Sequence, residues 1–203
     1  MVYLVAILIG YLLGCSSMAW YLAKLNKVNI RGGGSGNLGG SNVTVLMGWK
    51  AGILTTVHDV AKSMLAVWLA QLIFPDVPCA GAVAGVSAVL GHIFPFYLKF
   101  KGGKGFASYI GMILVLNWKF ALIIIGLVVL VTVVSDYIVM GTTLTVVSSP
   151  IYFGLTSGSL LLAGILCVAS VVIIYLHRAN YVRIYKGTEL GLRSAIRGDN
   201  RVK

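Results

Sequence analysis

Charge is what this sequence has least of. Only 10% of its 203 residues are Asp, Glu, Lys or Arg, where a soluble domain carries roughly 25%. Hydrophobic residues make up 59% and mean hydropathy is +0.96. That balance excludes an ordinary soluble protein, and the length allows several membrane spans of about 20 residues each. Acidic residues are the scarcest charges, five against 16 basic ones, for a formal net charge of +11. Such an excess could point to nucleic acid, but basic patches interleaved with exposed aromatics are missing, so nucleic acid is not an expected partner. In a membrane chain the excess belongs to loops facing anionic lipid and anionic substrates.

Cysteine is sparse too. Cys15, Cys79 and Cys167 lie far apart in or beside apolar runs. No CxxC occurs, so neither a zinc site nor a disulfide framework is indicated. The apolar run Met1–Leu22 has no basic segment ahead of it, which argues against a cleaved signal peptide. Leu12-Leu13-Gly14-Cys15 faintly resembles a lipoprotein cleavage site. Apolar sequence continues past it to Leu22, so an uncleaved first span is expected.

Several catalytic and cofactor motifs are absent. Gly34-x-Gly36-x-x-Gly39 fits the dinucleotide fingerprint, but it lies between apolar spans and not in a βαβ unit, where that fingerprint works. There is no GxxxxGK[ST] and no HExxH. Gly-x-Ser-x-Gly fails at Asn37. His-x4-Asp, used by a large class of acyltransferases, fails after His58, His92 and His177. No cofactor or metal site is predicted.

The apolar runs predict spans over Val2–Ala23, Trp49–Phe74 (with an earlier start near Val43 as the alternative) and Cys79–Leu98, with Pro75–Pro78 a turn. Phe106–Val134 is long for one span. Asn117-Trp118-Lys119 divides it into a short fourth and a fifth. Tyr137–Leu155 and Ser159–Leu176 follow, with Ser135-Asp136 and Thr156–Gly158 as turns. Seven spans put Lys24, Lys27, Arg31, Lys50, Lys99, Lys101, Lys104 and the basic tail from Arg178 to Lys203 on one side. Only Lys119 falls on the other. The expectation is therefore an all-α polytopic membrane protein of seven transmembrane helices, N-terminus outside and C-terminus cytoplasmic. One domain covers residues 1–203.

Three polar segments stand out on the predicted inner side. Arg31–Asn42 holds six glycines in twelve residues, too many for a packed helix or strand. It reads either as a flexible linker or as a nest of inward N–H groups for an anion. Ser35, Asn37, Ser41 and Asn42 add side-chain donors, which a linker does not need. Lys101-Gly102-Gly103-Lys104-Gly105 pairs glycine with lysine at an expected helix N-terminus, where anions are favoured. His177, Asn180 and Arg183, at spacings of three, share one face if the last helix continues. Glu189 is placed to orient one of these bases. Within the second span Asp59 and Lys62 can pair. Charges inside a span are costly and mark either a packing device or a working interior. His58 points to another helix face. His92 reads either as a satisfied interior histidine or as part of the adjoining loop.

With these residues in view, the chain resembles the bacterial acyl-phosphate:glycerol-3-phosphate acyltransferase family over its full length. Gly34–Gly39 with Asn42 is similar to that family's first motif. Gly91-His92 through Gly105 is similar to its second. His177-Arg178-x-Asn180-x-x-Arg183 with Gly187 and Glu189 is similar to its third. One departure is Gly40-Ser41, where the family is more threonine-like. The resemblance implies acyl transfer from acyl phosphate to the sn-1 hydroxyl of glycerol 3-phosphate, at a membrane-lipid surface. Under it His92, Lys104 and Asn180 are the expected catalytic residues. Gly34, Ser35, Gly36, Asn37, Gly39, Asn42, Gly102, Gly103, His177, Arg183 and Glu189 bind substrate. The base is His92 or a substrate phosphate oxygen, the latter preferred because no oriented Ser–His–acid set is visible. A transporter of a phosphorylated metabolite is the competing reading. It suits the intramembrane pair but not the one-sided anion donors.

Overall fold

In the computed structural model, which describes residues 1–196, all regular structure is helical. The chain packs as two compact units that meet in sequence at Asn117 and Trp118.

The first unit opens with α1 (Val2–Cys15) and α2 (Met18–Leu25). A single continuous helix was expected here. Instead the chain breaks at Ser16-Ser17, where Ser16 has ψ 131° and Ser17 is extended. Serine hydroxyls compete for backbone groups and so favour helix ends. Ser17 Oγ accepts from Trp20 N and caps α2. The break leaves the Cys15 and Ser16 carbonyls without helical donors, and side chains supply them. Tyr97 donates to Cys15 O at 2.9 Å and Lys62 to Ser16 O at 2.7 Å.

The glycine-rich stretch is not loop throughout. Helix α3 (Gly40–Met47) begins inside it, and Gly48, with φ 85°, separates α3 from α4 (Trp49–Ile73). Helix α5 (Ala80–Ile93) is the enclosed member, with twelve of its fourteen residues buried. Gly10 and Gly14 of α1 lie so close to Ala84 and Ala88 of α5 that a Cβ would overlap their carbonyls. This is the small-residue packing that lets membrane helices approach. Helix α6 (Phe106–Leu116) has eleven residues. At 1.5 Å per residue it is about 16 Å long, half of a roughly 30 Å hydrocarbon layer.

Tyr3 donates to Pro78 O at one end of this unit. At the other end Arg31 donates to Leu98 O and Lys101 O, at 3.2 and 2.7 Å. The two lysine-bearing loops therefore share an end, as their charge suggested.

In the second unit α7 (Trp118–Ser135) and α8 (Ile138–Ser157) are joined through Asp136, whose φ is 71°. Helix α9 (Leu160–Tyr185) runs nine residues past the predicted end of the last span. The short α10 (Leu192–Ile196) returns to the α7–α8 turn. There Asp136 O accepts from Leu192 N at 2.7 Å and Asp136 Oδ1 from Arg193 N at 2.8 Å. Arg197, Arg201 and Lys203 of the predicted basic tail lie outside the described residues. Among the described residues, six segments are long and apolar enough to cross a membrane: 2–25, 49–73, 80–98, 118–135, 138–157 and 160–185.

Candidate active site

The first loop is built on Asn42, which is 3% exposed. Its Oδ1 accepts from Ser35 N at 2.8 Å, and its Nδ2 donates to Ile30 O at 3.2 Å and Gly33 O at 3.4 Å. Both ends of the amide are thus committed to the loop backbone. Asn42 therefore shapes the loop. Gly34 and Gly36 have φ of 55° and 67°, which a side chain resists. Ser35 N is taken by Asn42 and Gly36 N by Gly33 O. Other groups of the loop stand ready for an anion: the exposed Ser35 hydroxyl, the Asn37 side chain beside Gly39, and the first-turn N–H groups of α3, which helix geometry leaves without internal partners.

The second loop uses its glycines differently. Gly102 N donates to Ile93 O at 2.8 Å and Gly103 N to His92 O at 3.1 Å. These N–H groups fold the loop back onto the end of α5 and are spent there. Gly103 is needed for proximity, because a Cβ there would overlap the His92 imidazole at Nε2. Lys104, half-buried, follows directly. Gly105, at φ 93°, then starts α6.

Beneath this loop lies a buried polar cluster from α1, α4 and α5. Lys62 Nζ is 2.8 Å from Asp59 Oδ1, 2.9 Å from His92 Nδ1 and 2.7 Å from Ser16 O. His92 Nδ1 is also 3.2 Å from Asp59 Oδ1. Asp59, Lys62 and His92 are 2%, 6% and 7% exposed. The Asp59–Lys62 pair was legible from spacing, but its union with His92 was not. His58 was expected to face elsewhere. Its Nδ1 lies 3.7 Å from Asp59 Oδ1, and its Nε2 is 3.0 Å from Ser16 Oγ. His92 thus lies against a buried ion pair, which the sequence did not reveal. Ser16-Ser17 inside an apolar run was the available signal for the helix break that completes the cluster.

Beside the first loop is a cleft of about 540 Å³ lined by Trp20, Lys24, Lys27, Arg31, Tyr97 and Lys99, among others.

In the second unit, Asn180 and Arg183 lie on α9 with His177 one turn before them. His177 is buried, and its Nδ1 lies 2.8 Å from Ile173 O. A carbonyl can only accept, so Nδ1 carries a proton. Gly187, at φ 67°, ends the helix and turns the chain back. Glu189 then accepts from Asn180 Nδ2 with one oxygen and from Arg183 Nε with the other. The acid therefore orients both residues, as its position suggested.

A family model described as glycerol-3-phosphate acyltransferase matches residues 4–187, most of the chain. The chain belongs to the glycerol-3-phosphate acyltransferase family. The acyltransferase is 35% identical over 204 residues to glycerol-3-phosphate acyltransferase 1 of Oceanobacillus iheyensis, with 96% of this chain and 97% of the relative covered. It is 37% identical over 191 residues to the glycerol-3-phosphate acyltransferase of Coxiella burnetii, with 93% and 97% covered. Among solved structures, it is similar to two crystal structures of PlsY (YgiH), an integral membrane glycerol 3-phosphate acyltransferase. The glycerol 3-phosphate form gives a TM-score of 0.88 at 28% identity, covering 95% of this chain and 96% of that one. The lysophosphatidic acid form gives 0.84 at 28% identity, covering 93% and 94%.

Proposed function

We propose that this acyltransferase moves a fatty acyl group from acyl phosphate to the sn-1 hydroxyl of glycerol 3-phosphate. The hydroxyl oxygen forms a bond to the acyl carbon, and the bond from that carbon to the phosphate oxygen breaks. Lysophosphatidic acid and inorganic phosphate leave. The hydroxyl proton goes to a phosphate oxygen of a substrate. An acyl phosphate is a mixed anhydride and already activated, so no protein nucleophile is required. Positioning and charge stabilisation supply the acceleration.

The observation that carries this reading is that the first unit holds two helix N-termini, α3 and α6, each entered through a glycine-rich segment. Arg31 links the two segments. Two anion cradles beside a membrane interior suit two phosphorylated substrates, one of them with a long apolar tail. Ser35, Gly34, Gly36, Asn37, Gly39 and the N-terminus of α3 form one cradle, and Lys104 with the α6 N-terminus the other. His177, Asn180 and Arg183, the last two fixed by Glu189, hold glycerol 3-phosphate.

Residues 1–203 act as one catalytic domain with seven crossings, α6 being the short one. The N-terminus is outside, and the site faces the cytoplasm from a bacterial inner membrane. The excess of Lys and Arg on one side supports that orientation. The cleft with Lys24, Lys27 and Lys99 beside Trp20 and Tyr97 is suited to anionic lipid headgroups.

Purified protein in lipid, given palmitoyl phosphate and glycerol 3-phosphate, releases phosphate and forms lysophosphatidic acid in equal amounts. Glycerol 3-phosphate flux into sealed liposomes without product would favour a transporter instead.

A further inference from the structure

Asp59 and Lys62 are buried charges that the proposed reaction does not use. Burying ions costs several kcal/mol unless every group is matched. Here the matching is complete on the lysine side. An ammonium has three N–H groups and no lone pair. Lys62 Nζ has three acceptors within reach: Ser16 O at 2.7 Å, Asp59 Oδ1 at 2.8 Å and His92 Nδ1 at 2.9 Å. Of the two contacts His92 Nδ1 makes, the one to Lys62 is shorter than the one to Asp59 Oδ1 at 3.2 Å, and as a hydrogen bond from an ammonium it needs a lone pair on Nδ1. The proton of a neutral imidazole then sits on Nε2.

We infer that Lys62, anchored by Asp59 and by the carbonyl freed at the Ser16 helix break, locks His92 as the Nε2–H tautomer. His92 thereby serves as a hydrogen-bond donor to the anion held by the Lys104 loop, and not as a base. Nε2 occupies the space that a side chain at Gly103 would fill, immediately before Lys104. Backbone bonds from Gly102 N and Gly103 N fix the loop over the ring. An N–H at that place adds a neutral donor beside the lysine charge. A lone pair there would repel phosphate. Asp59 and Lys62 are positioning residues, acting only through His92. The donor role rests on the phosphate-binding role proposed for the Lys104 loop, whereas the tautomer does not.

Three histidines in the chain make the test direct. Protein labelled with ¹⁵N-histidine in lipid nanodiscs gives three imidazole spin systems, and His92→Gln identifies the one that disappears. His92 is expected neutral, protonated at Nε2 and unprotonated at Nδ1. In Lys62→Met the proton moves to Nδ1, facing Asp59. A wild-type His92 protonated at Nδ1, alone or with Nε2, overturns the lock and needs no variant to fold. Titration with inorganic phosphate is expected to shift the His92 Nε2 resonance. An unmoved resonance, in protein whose Lys104 side-chain signal does respond, overturns the donor role. If the tautomer is as stated but no phosphate is released from palmitoyl phosphate, the proposed reaction fails and the lock stands.

Discussion

The two glycine-rich segments of the first unit look alike in sequence and are built on different foundations. The Gly34–Asn42 segment rests on a neutral amide. Asn42 bonds three backbone groups of the loop, and the glycines are there for their dihedrals. The Lys101–Gly105 segment rests on an ionic cluster. Its glycines at 102 and 103 are there for closeness to α5, and their N–H groups are consumed in achieving it. Glycine richness alone therefore does not say where an anion binds. The first segment carries a hydroxyl, an amide side chain and a helix end. The second carries the half-buried Lys104 ahead of a helix end.

The contrast can be broken most severely at the ionic foundation. Asp59→Ala leaves Lys62 buried without its counter-charge and is expected to cost about 3–5 kcal/mol of stability, measured by thermal unfolding in detergent. Asn42→Ala, at the neutral foundation, strands Ser35 N and is expected to cost about 1–3 kcal/mol. Equal losses at the two sites would remove the distinction. In activity the order changes. Lys104→Met removes the charge and is expected to lower kcat about 10²–10³-fold, read as phosphate release, with the fold intact. Gly103→Ala drives a methyl into the imidazole and is expected to cost about 1–3 kcal/mol by overpacking. Gly103→Ala combined with His92→Ala should recover that stability but not activity, since space returns and the donor does not. The smallest effect is expected from Arg31→Ala, an exposed side chain making two bonds to carbonyls. A loss of about 1 kcal/mol is the ordinary worth of such bonds. A larger one, with raised KM for both substrates, would show that the two loops move as one.

How far the sequence reads ahead follows from what each feature depends on. Spans were legible because hydropathy and turn residues are local. Trp49, Asn117 and Ser135-Asp136 mark real boundaries, and the short fourth apolar segment is α6. That Glu189 could orient the residues of α9 was read from its position, but the Gly187 turn that brings it back was not. The broken first helix was missed because Ser16-Ser17 is a small interruption in a strongly apolar run. Its consequence is tertiary: two carbonyls are freed, and Lys62 and Tyr97 come from other helices to meet them. His92 was singled out for its neighbour in sequence. Its partners Asp59 and Lys62 lie thirty or more positions away, on α4. The roles of Gly102, Gly103 and Asn42 turned on which N–H groups the fold had already used, and no residue pattern states that.

The claim beneath the whole account is that these segments and the end of α9 work from one face of the membrane. Single cysteines at exposed positions test it: Ser35→Cys, Lys101→Cys, Lys186→Cys and Asp76→Cys, in protein whose own three cysteines are replaced by alanine. Labelled with a membrane-impermeant maleimide in sealed inside-out vesicles, positions 35, 101 and 186 should react and position 76 should not. Reaction at 186 only from the opposite side, or at 35 and 101 from different sides, would contradict it.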